Sequence, residues 1–415
     1  MQAYPRIVIV GAGFAGIFCA RGLAGAEAHI TLIDRENHHL FQPLLYQVAT
    51  GFLGINDVAW PMRSLFRGNR NIEVIMGEVI GIDVHAKCVL TDRISYPYDY
   101  LVLAPGSRYH FFGHDDWAHH VQVLKTLEDA VGLRHQILGT FERAEIEQDK
   151  ARRSKLLTYV IIGGGPTGVE VAGAIADVVR YTLPREFRRI GPEDVHIILL
   201  EAASRVLSAM PEHLSAYTRE VLERKGVIIR CQTAVQKIEQ EQVVTPQDII
   251  ETHTILWAAG VKPCPITDWL GVSPDQRGAV PVRPDLSVEG KENIYVLGDA
   301  ALCMQHGKPL PALASVAQQQ GKYLAGHLRR SINGKLYLEP FRYRDLGTMA
   351  TIGRNEAVAD FGSFTVKGWC AWLLWGIVHI YFLTGLRNRI VVFVTWIWTY
   401  ITFGMGARII LGRRG

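Results

Sequence analysis

The sequence lacks any pair of cysteines close enough along the chain to form a local redox or metal-binding motif. No C-x-x-C spacing occurs, which excludes a disulfide framework, a zinc site and a local redox pair, so no metal is expected. The six cysteines are Cys19, Cys88, Cys231, Cys264, Cys303 and Cys370. Because the first apolar run begins at about Arg6, we expect no signal peptide and a reducing, cytosol-like compartment for the main body.

Acidic residues are absent after Asp360, whereas basic ones are not. This tail carries a charge of +6, so residues 1–360 carry −2 of the overall +4. A slightly acidic body with a basic, apolar tail argues against a nucleic-acid partner and favours a lipid surface. The basic residues of the tail are Lys367, Arg387, Arg389, Arg408, Arg413 and Arg414.

The 415 residues suffice for two or three domains, and one structural unit opens the chain. A buried apolar strand at 7–10 precedes a glycine-rich turn and a helix that starts near Phe14. A second strand at 30–33 ends at Asp34. This order predicts a βαβ unit with parallel strands.

The same unit returns about 150 residues later. A strand at 159–162 precedes a glycine-rich turn and a long helix, and a strand at 196–200 ends at Glu201. A polar stretch at 126–155, predicted to be helical, separates the two units and marks a boundary. A further strand-like run at 293–297 stops at a Gly-Asp pair.

The first turn, GAGFAG, has the pattern G-x-G-x-x-G between a strand and a helix. In this pattern Gly11 makes the tight turn, Gly13 lets backbone N–H groups approach a pyrophosphate, and Gly16 lets the helix pack close to the strand. The helix N-terminus favours the phosphate charge, and a carboxylate at Asp34 suits a ribose diol. The turn therefore predicts a Rossmann-like dinucleotide-binding fold.

The second turn, GGGPTG, places Gly163, Gly165 and Gly168 in the same three roles. Its acid, Glu201, follows the last glycine by 33 residues, which predicts a longer helix or an added loop near 184–192. A carboxylate there favours the free ribose of NADH over the 2′-phosphate of NADPH, although Arg205 nearby leaves NADPH open. Two such folds suit one flavin and one nicotinamide, but spacing does not say which fold binds which.

Seven stretches occur in an order and spacing that are typical of one family. They are VIVGAGFAG at 8–16, FQPLLYQVATG at 41–51, YDYLVLAPG at 98–106, IGGGPTGVE at 162–170, LWAAG at 256–260, YVLGDA at 295–300 and LPALASVAQQQG at 310–321. Over about residues 5–390 the chain resembles the two-dinucleotide-fold flavoproteins, and more narrowly the type II, non-proton-pumping NADH:quinone oxidoreductases.

The resemblance implies an α/β fold with two Rossmann-like domains, the second inserted in the first, and a C-terminal membrane-associating helical segment. The first domain, 1–115 and 286–345, would hold FAD non-covalently, and the inserted domain, 116–285, would bind NADH as substrate. Residues 346–415 would anchor the protein to a membrane. Electrons would pass from NADH to FAD and then to a membrane quinone.

The resemblance also assigns site residues and places the loop 38–51 beside the isoalloxazine ring. The FAD-binding residues are Gly11, Gly13, Phe14, Ala15, Gly16, Asp34, Arg35, Pro43, Val79, Ala104, Gly106, Asp299 and Ala314. The NADH-binding residues are Gly163, Gly165, Thr167, Gly168, Glu201, Ala259 and Gly260. Disulfide reductases of this superfamily carry a cysteine pair soon after the first acid, and its absence here excludes that reaction.

The quinone motif of the family, A-Q-x-A-x-Q, reads ASVAQQ here, so Ser315 replaces the first glutamine and Gln319 keeps the second. Ser315, Gln318 and Gln319 are the expected quinone contacts, although glutamines here also suit a solvated helix face. Serine reaches less far than glutamine, which leaves the headgroup open. The expected catalytic residues are Gln319 and Glu170, which either relays a proton or complements the helix dipole.

Two uncharged segments, 369–386 and 390–407, each span 18 residues. As helices they would be about 27 Å long, the lower limit for crossing a bilayer. A spanning hairpin would carry Arg387 and Arg389 to the far side, against the positive-inside tendency. We expect monotopic, peripheral attachment to the cytoplasmic side of the cell inner membrane, with a re-entrant hairpin and core helices of a soluble dimer as alternatives.

Other activities stay open at this stage. They are a ferredoxin-type reductase with a protein acceptor, a sulfide:quinone oxidoreductase relative and a non-catalytic NADH sensor. The membrane-like tail disfavours the first, and the absence of cysteines between Cys88 and Cys231 disfavours the second. Steady turnover would separate an enzyme from a sensor. A homodimer also stays open.

Overall fold

The computed structural model describes residues 4–335, 339–383, 385–402 and 406–410, so Arg413 and Arg414 lie outside the described residues. The chain forms two compact units. Unit 1 comprises Met1–His39, Trp60–Tyr109 and Val261–Leu346, and unit 2 comprises Leu40–Ala59, His110–Gly260 and Gly347–Gly415. Unit 2 contains the second dinucleotide fold together with residues 40–59 and the C-terminal residues from Gly347 onwards. The domain ranges given by the resemblance differ from these units and stay a prediction.

The helices and strands are numbered in chain order. The helices are α1 (Phe14–Gly22), α2 (Leu45–Ala49), α3 (Ile55–Val58), α4 (Met62–Leu65), α5 (Leu127–Ile146), α6 (Lys150–Leu156), α7 (Pro166–Tyr181), α8 (Leu183–Glu186), α9 (Glu212–Arg224), α10 (Thr267–Leu270), α11 (Ala314–Ile332), α12 (Trp369–Phe382) and α13 (Leu386–Thr402). Short 3-10 helices cover Gln42–Leu44, Asp115–His119, Pro192–Asp194 and Gly298–Ala300. The strands are β1 (Arg6–Val10), β2 (His29–Asp34), β3 (His38–Leu40), β4 (Ala59–Pro61), β5 (Ile72–Met76), β6 (Val79–Asp83), β7 (Cys88–Thr91), β8 (Ser95–Pro97), β9 (Tyr100–Leu103), β10 (Ser107–Tyr109), β11 (Thr158–Ile162), β12 (His196–Leu200), β13 (Val227–Arg230), β14 (Lys237–Glu239), β15 (Gln242–Val244), β16 (Ile249–Glu251), β17 (Thr254–Trp257), β18 (Val261–Pro263), β19 (Val280–Pro281), β20 (Ile294–Val296), β21 (Ala301–Leu302), β22 (Met304–Gln305), β23 (Lys308–Pro309), β24 (Thr348–Thr351), β25 (Ala357–Asp360) and β26 (Thr365–Lys367).

Unit 1 is built on a five-stranded sheet in the order β20-β9-β1-β2-β5, with all neighbours parallel. The apolar run of β1 is buried on both faces, as expected for a central parallel strand. Val10 lies opposite Ile33 on one side and Leu103 on the other. The carboxyl ends of β1, β9 and β20 therefore meet at one edge of the sheet, where open α/β sheets bind ligands.

Helices α1 and α11 pack together on this sheet with almost no space between their backbones. A Cβ built at Gly321 would lie 2.3 Å from the carbonyl oxygen of Ala15, and one at Gly22 would lie 2.4 Å from the Cβ of Ala325. Only glycine permits such an approach. The packing fixes the start of α11 relative to the glycine turn before α1.

Unit 2 contains a second parallel sheet, in the order β13-β12-β11-β17. Every residue of β11 is buried, which matches its continuous apolar run. The predicted helical stretch between the two βαβ units is α5 and α6. Thr126 caps α5 by accepting from the backbone N–H of Asp129 at 3.1 Å, and the Asp129 carboxylate accepts from the N–H of Thr126 at 2.7 Å.

The sequence predicted either a longer helix or an added loop between the second glycine turn and Glu201, and the structure contains both a long helix and an added connection. Helix α7 has 16 residues, and α8 with the 3-10 helix Pro192–Asp194 forms an added connection before β12. Near the C-terminus, an antiparallel sheet of β24, β25 and β26 precedes α12 and α13. None of the helices in the described part of the chain has both the length and the apolar character needed to cross a bilayer.

Candidate functional site

The glycine turn after β1 has the geometry that its sequence predicts. Gly11 has a φ of +96°, and a Cβ built there would lie 2.2 Å from the carbonyl oxygen of Ala104. A Cβ on Gly16 would lie 1.8 Å from the carbonyl oxygen of Gly11. No atom lies within 4 Å of the Cβ position of Gly13, which caps α1. Backbone atoms therefore crowd the Cβ positions of Gly11 and Gly16, whereas the space beside Gly13 is open.

The acid at the end of β2 holds this turn. The Asp34 carboxylate accepts from the backbone N–H of Ala12 at 2.5 Å and from that of Glu36 at 2.8 Å. Burial raises the pKa of Asp34 above its usual value, and the two N–H donors oppose that shift. Arg35, the next predicted contact, is exposed.

His39, in β3, contacts this turn; the resemblance included it in the loop 38–51 but gave it no role of its own. Its Nδ1–H donates to the carbonyl oxygen of Ala12 at 3.0 Å, and its ring lies edge-on to Phe14. Burial lowers the pKa of His39 to about 4, so the ring is neutral. Its Nε2 is buried with no hydrogen-bond partner among the described residues. A buried acceptor of this kind beside an open glycine turn fits a polar ligand such as a dinucleotide.

Asp299 follows β20 at the same edge of the sheet. Its carboxylate accepts from the hydroxyl of Ser107 at 2.5 Å. The side-chain oxygen of Gln320 accepts from the N–H of Gly298 at 2.7 Å and so fixes the turn that carries Asp299. Neither Ser107 nor Gln320 was predicted, because both act through contacts distant in sequence.

The remaining predicted flavin residues are placed as follows. Gly106 follows β9, Val79 begins β6 and Ala314 begins α11, all in unit 1. The carbonyl oxygen of Ala104 lies close to Gly11, and that of Ala15 lies close to Gly321. Pro43 belongs to the 3-10 helix Gln42–Leu44 in unit 2. The structure thus groups the glycine turn, Asp34, Ala104 and Asp299 at one sheet edge.

The residues expected to contact a quinone lie in the first turns of α11. The hydroxyls of Ser315 and Tyr343 are 3.0 Å apart, and Gln318 is buried. The Gln319 amide donates to the carbonyl oxygen of Arg344 at 2.8 Å, and its oxygen accepts from the N–H of Arg344 at 3.0 Å. Gln319 therefore fastens a neighbouring segment to α11, and its quinone role stays a prediction.

The glycine turn after β11 in unit 2 repeats the geometry of the first. Gly163 has a φ of +112°, and a Cβ there would lie 2.8 Å from the carbonyl oxygen of Ala258. A Cβ on Gly168 would lie 1.9 Å from the carbonyl oxygen of Gly163. The Cβ position of Gly165, the cap of α7, has no atom within 4 Å. In the second turn, too, backbone atoms crowd the Cβ positions of Gly163 and Gly168, and the space beside Gly165 is open.

Glu201 holds the second turn as Asp34 holds the first. Its carboxylate accepts from the backbone N–H groups of Gly164 at 2.5 Å and Ala203 at 2.7 Å. Arg205, which left NADPH open, donates to the carbonyl oxygens of Met210 at 2.7 Å and Ser208 at 2.9 Å. These carbonyls orient the guanidinium of Arg205, whereas the Glu201 carboxylate contacts the turn itself.

The other predicted residues of unit 2 surround this turn. Thr167 is exposed in the first turn of α7, and Ala259 and Gly260 follow β17 at the same sheet edge. A Cβ on Gly260 would lie 2.6 Å from the ring of Phe112. The centroid of that ring lies 6.2 Å from the ring centroid of Trp257, the last residue of β17.

Replacing Glu201 with glutamine is expected to lower kcat/KM for NADH by about tenfold, because a neutral amide accepts from the ribose hydroxyls less strongly than a carboxylate. The preference over NADPH should narrow by about tenfold as well, because the repulsion of a 2′-phosphate disappears. Steady-state kinetics with both nucleotides measures this. Glu193→Gln, at an exposed position of the same unit, is the charge-matched control and should leave both values unchanged. An unaltered nucleotide preference in Glu201→Gln would contradict the assignment.

Glu170 lies in the first turns of α7, as predicted, in an apolar environment. The N–H of Thr351 donates to its Oε1 at 3.5 Å. Burial raises the pKa of Glu170 to about 8, against the weaker opposing effect of this N–H. A carboxyl with such a pKa is largely protonated at neutral pH and can give up a proton there, which is the property of a general acid.

Two family models match the chain. Residues 5–321 match the model described as pyridine nucleotide-disulphide oxidoreductase, and residues 346–404 match the NDH2 C-terminal domain. A type II NADH:quinone oxidoreductase of Mycobacterium tuberculosis is 37% identical, over 97% of this chain and 89% of that relative. The mitochondrial external NADH-ubiquinone oxidoreductase 2 of Saccharomyces cerevisiae is 28% identical, over 95% of this chain and 81% of the relative.

Solved structures share the fold. NDH2 of Plasmodium falciparum, solved in complex with NADH, has a TM-score of 0.87 at 19% identity, covering 98% of this chain and 100% of that one. The sulfide:quinone oxidoreductase of Aquifex aeolicus has a TM-score of 0.76 at 19% identity, covering 93% of this chain and 92% of that one. At these identities the likeness extends to the α/β fold alone.

Proposed function

This chain belongs to the pyridine nucleotide-disulphide oxidoreductase family and, within it, to the type II NADH:quinone oxidoreductases; from that premise we propose that it transfers two electrons from NADH to a quinone without pumping protons. The observation that carries the proposal is the pair of glycine turns with matching geometry, each closed by its own acid. Two such turns suit an enzyme that uses two dinucleotides.

FAD, when bound, supplies the centre that accepts hydride from NADH and gives electrons to the quinone. In our proposal the N–H groups at the start of α1 bind its pyrophosphate, and Asp34 and Asp299 accept from its hydroxyl groups. The open space at Gly13 and the unpartnered Nε2 of His39 support this placement. Hydroxyl-to-carboxylate hydrogen bonds orient the group without a covalent link.

Unit 2 binds NADH in this proposal. The N–H groups at the start of α7 face the pyrophosphate, and Glu201 accepts from the adenosine ribose. The hydrogen bonds that hold Arg205 away from this role support NADH as the nucleotide used. Thr167, Ala259 and Gly260 form the rest of the surface around the turn.

We assign proton supply during quinone reduction to Glu170, because its carboxyl is protonated near neutral pH. The hydride of NADH carries one of the two hydrogens that a quinone gains, so the reaction takes up one further proton, which Glu170 would supply and then regain from solvent. Ser315, Gln318 and Gln319 stay our proposed quinone contacts on α11. The sulfide alternative has less support, because the chain has no cysteine between Cys88 and Cys231 that could take part in sulfide oxidation.

Anaerobic absorbance spectroscopy tests this function. NADH should bleach the flavin of the purified holoenzyme, and a short-chain quinone should restore its colour over many cycles. Bleaching without recovery would preserve the NADH site and refute the quinone. A flavin that NADH does not bleach would refute the assignment of the second glycine turn.

We propose peripheral attachment to the cytoplasmic side of the inner membrane through α12 and α13. Each helix packs one face inside unit 2 at residues such as Ala371 and Val392. The opposite face exposes an apolar stripe beside the exposed Arg387, which suits anionic headgroups. The exposed stripe comprises Trp369, Leu373, Ile377, Tyr381, Leu386, Ile390, Phe393, Val394, Ile397, Trp398 and Ile401. A homodimer stays a prediction that sedimentation analysis would test.

Replacing Ile401 with serine is expected to weaken partitioning onto anionic lipid vesicles by about tenfold, because burying an isoleucine side chain in an apolar phase is worth about 1.5–3 kcal/mol. Vesicle co-sedimentation measures it. Ile146 on α5 is 72% exposed, close to the 69% of Ile401, so Ile146→Ser is a matched control that should bind like the unsubstituted protein. Equal losses in the two variants would contradict a membrane role for the stripe.

A further inference from the structure

A chain of hydrogen bonds in unit 2 begins at a tryptophan of α13. The indole N–H of Trp396 donates to the Oε1 of Gln47 at 2.8 Å. The amide nitrogen of Gln47 donates to the hydroxyl oxygen of Tyr46 at 3.0 Å. Tyr46 and Gln47 belong to α2, so the chain links a C-terminal helix to a helix some 350 residues earlier.

The direction of this chain is fixed at its start. An indole N–H can only donate, so it holds the oxygen of the Gln47 amide towards Trp396 and the nitrogen towards Tyr46. Because the Tyr46 oxygen already accepts from that nitrogen, we assign its own proton to the Oγ1 of Thr351, 3.0 Å away. Without the indole donor the amide could rotate by half a turn and reverse the order.

The chain ends beside Glu170. The N–H of Thr351 donates to the Glu170 carboxyl at 3.5 Å, the upper limit for a hydrogen bond, so a small shift of Thr351 would break it. Among the described residues, it is the hydrogen bond that favours the ionised form of Glu170. The position of Thr351 therefore affects the readiness of this carboxyl to lose a proton.

Few other charges act on this carboxyl. On the elements that pack around it, Tyr46 is buried and neutral, and burial raises its pKa far above the usual range. Asp177, two turns further along α7, is buried against the ammonium of Lys225 at 2.5 Å and accepts from the N–H of Arg354 at 2.6 Å. The opposite charges of Asp177 and Lys225 compensate each other, and the contacts of the described residues place the Tyr46–Thr351 end of the hydrogen-bonded chain beside Glu170.

The same chain borders a cavity. An apolar cavity of about 420 Å³ is lined by Tyr46, Gln47, Thr351 and Trp396 together with tryptophans of α12. The rings of Trp375 and Trp396 are 5.4 Å apart within it. An apolar ligand or a displacement of α13 would therefore act directly on the hydrogen-bonded side chains.

We propose that Trp396 is a positioning residue for Glu170, acting through Gln47, Tyr46 and Thr351, so that the seating of α13 sets how readily Glu170 releases its proton to the quinone. This inference rests on the function proposed for Glu170. Trp396 itself does not touch the carboxyl. Its indole N–H keeps the hydrogen-bonded chain in one order, and a phenylalanine would keep an aromatic ring at this position without that donor.

The test compares Trp396→Phe with Trp269→Phe in the flavin-loaded enzyme. Trp269, on α10 in unit 1, is also partly buried and takes no part in the chain. Trp396→Phe should leave flavin reduction by NADH unchanged and move the pH profile of flavin reoxidation by quinone upward by about half a unit. Thr351 would no longer be held in place, and a shift of its N–H away from Glu170 would remove the contact that stabilises the ionised carboxylate. Trp269→Phe should leave both unchanged.

Two further variants make the result decisive. Gln47→Leu should reproduce the shift, and the double variant should shift no further, because both substitutions break one chain. Glu170→Gln should remove the pH dependence altogether. If it does so while Trp396→Phe keeps the original profile or only slows the enzyme equally at every pH, the positioning role is refuted and the function of Glu170 stands. If Glu170→Gln keeps the original pH profile, the function proposed for Glu170 is refuted.

Discussion

Replacing Gly11 with alanine is expected to yield a protein without flavin, with the free energy of unfolding lowered by about 3 kcal/mol or more. The φ of +96° disfavours any side chain, and the new Cβ would lie 2.2 Å from the backbone oxygen of Ala104, which cannot move without displacing β9. The ratio of flavin absorbance to protein absorbance and thermal unfolding measure the two effects.

Substitutions at two other glycines distinguish the effect of backbone strain from the effect of a lost flavin contact. Gly326 lies within α11 with no atom near its Cβ position, so Gly326→Ala should bind flavin normally and gain slightly in stability. Gly13 also has open space around its Cβ position, so Gly13→Ala should fold normally but bind flavin more weakly. Full flavin occupancy in Gly11→Ala would contradict the assignment of this turn.

Replacing Glu170 with glutamine is expected to slow reoxidation of the flavin by quinone by about 100-fold, the usual contribution of a general acid. Reduction by NADH should be unaffected, because hydride transfer needs no proton from this carboxyl. Rapid-mixing absorbance measurements of the two half-reactions separate these effects. Glu193→Gln is again the charge-matched control, and a loss confined to the NADH half-reaction would contradict the role.

The pH dependence follows from the pKa of Glu170, which burial raises from 4.5 to about 8. The protonated form declines above pH 8, so quinone reduction should slow there in the unsubstituted enzyme. Stability shows the same linkage: the folded state binds the extra proton, so the free energy of unfolding should fall as the pH rises from about 4.5 to 8. Denaturant titrations should find that part of the fall missing in Glu170→Gln.

The glycine turns could be predicted because their information is local. A strand, three glycines and an acid lie within a short stretch, and parallel-strand geometry determines the rest. The structure accordingly has tight turns at Gly11 and Gly163, with Asp34 and Glu201 bonded to them, and the binding roles of these residues stay predictions.

The missed residues depend on contacts between distant parts of the chain. Tyr46 and Thr351 are 305 positions apart, and Gln47 and Trp396 are 349 apart. No periodicity in a single sequence encodes such a pairing. His39 had a weak local signal, since it lies just before the FQPLLYQVATG motif, but its hydrogen bond to Ala12 depends on the fold.

The C-terminal helices show a second limit of pattern analysis. An interfacial helix is expected to be amphipathic, and α12 and α13 are not, because their inner face packs on apolar residues of unit 2 while their outer face is also apolar. The sequence of each helix is therefore apolar both where it packs against the protein and where it is exposed, so the sequence pattern alone does not distinguish the two faces. The structure separates them by showing which residues pack and which are exposed.

The central claim is tested most directly in sealed lipid vesicles that carry the enzyme on their outer surface, a quinone in the bilayer and a pH-sensitive dye inside. Our account expects one quinol formed for each NADH oxidised over hundreds of turnovers, with no change in the internal pH. Oxidation of NADH without quinol, or internal acidification coupled to turnover, would contradict it.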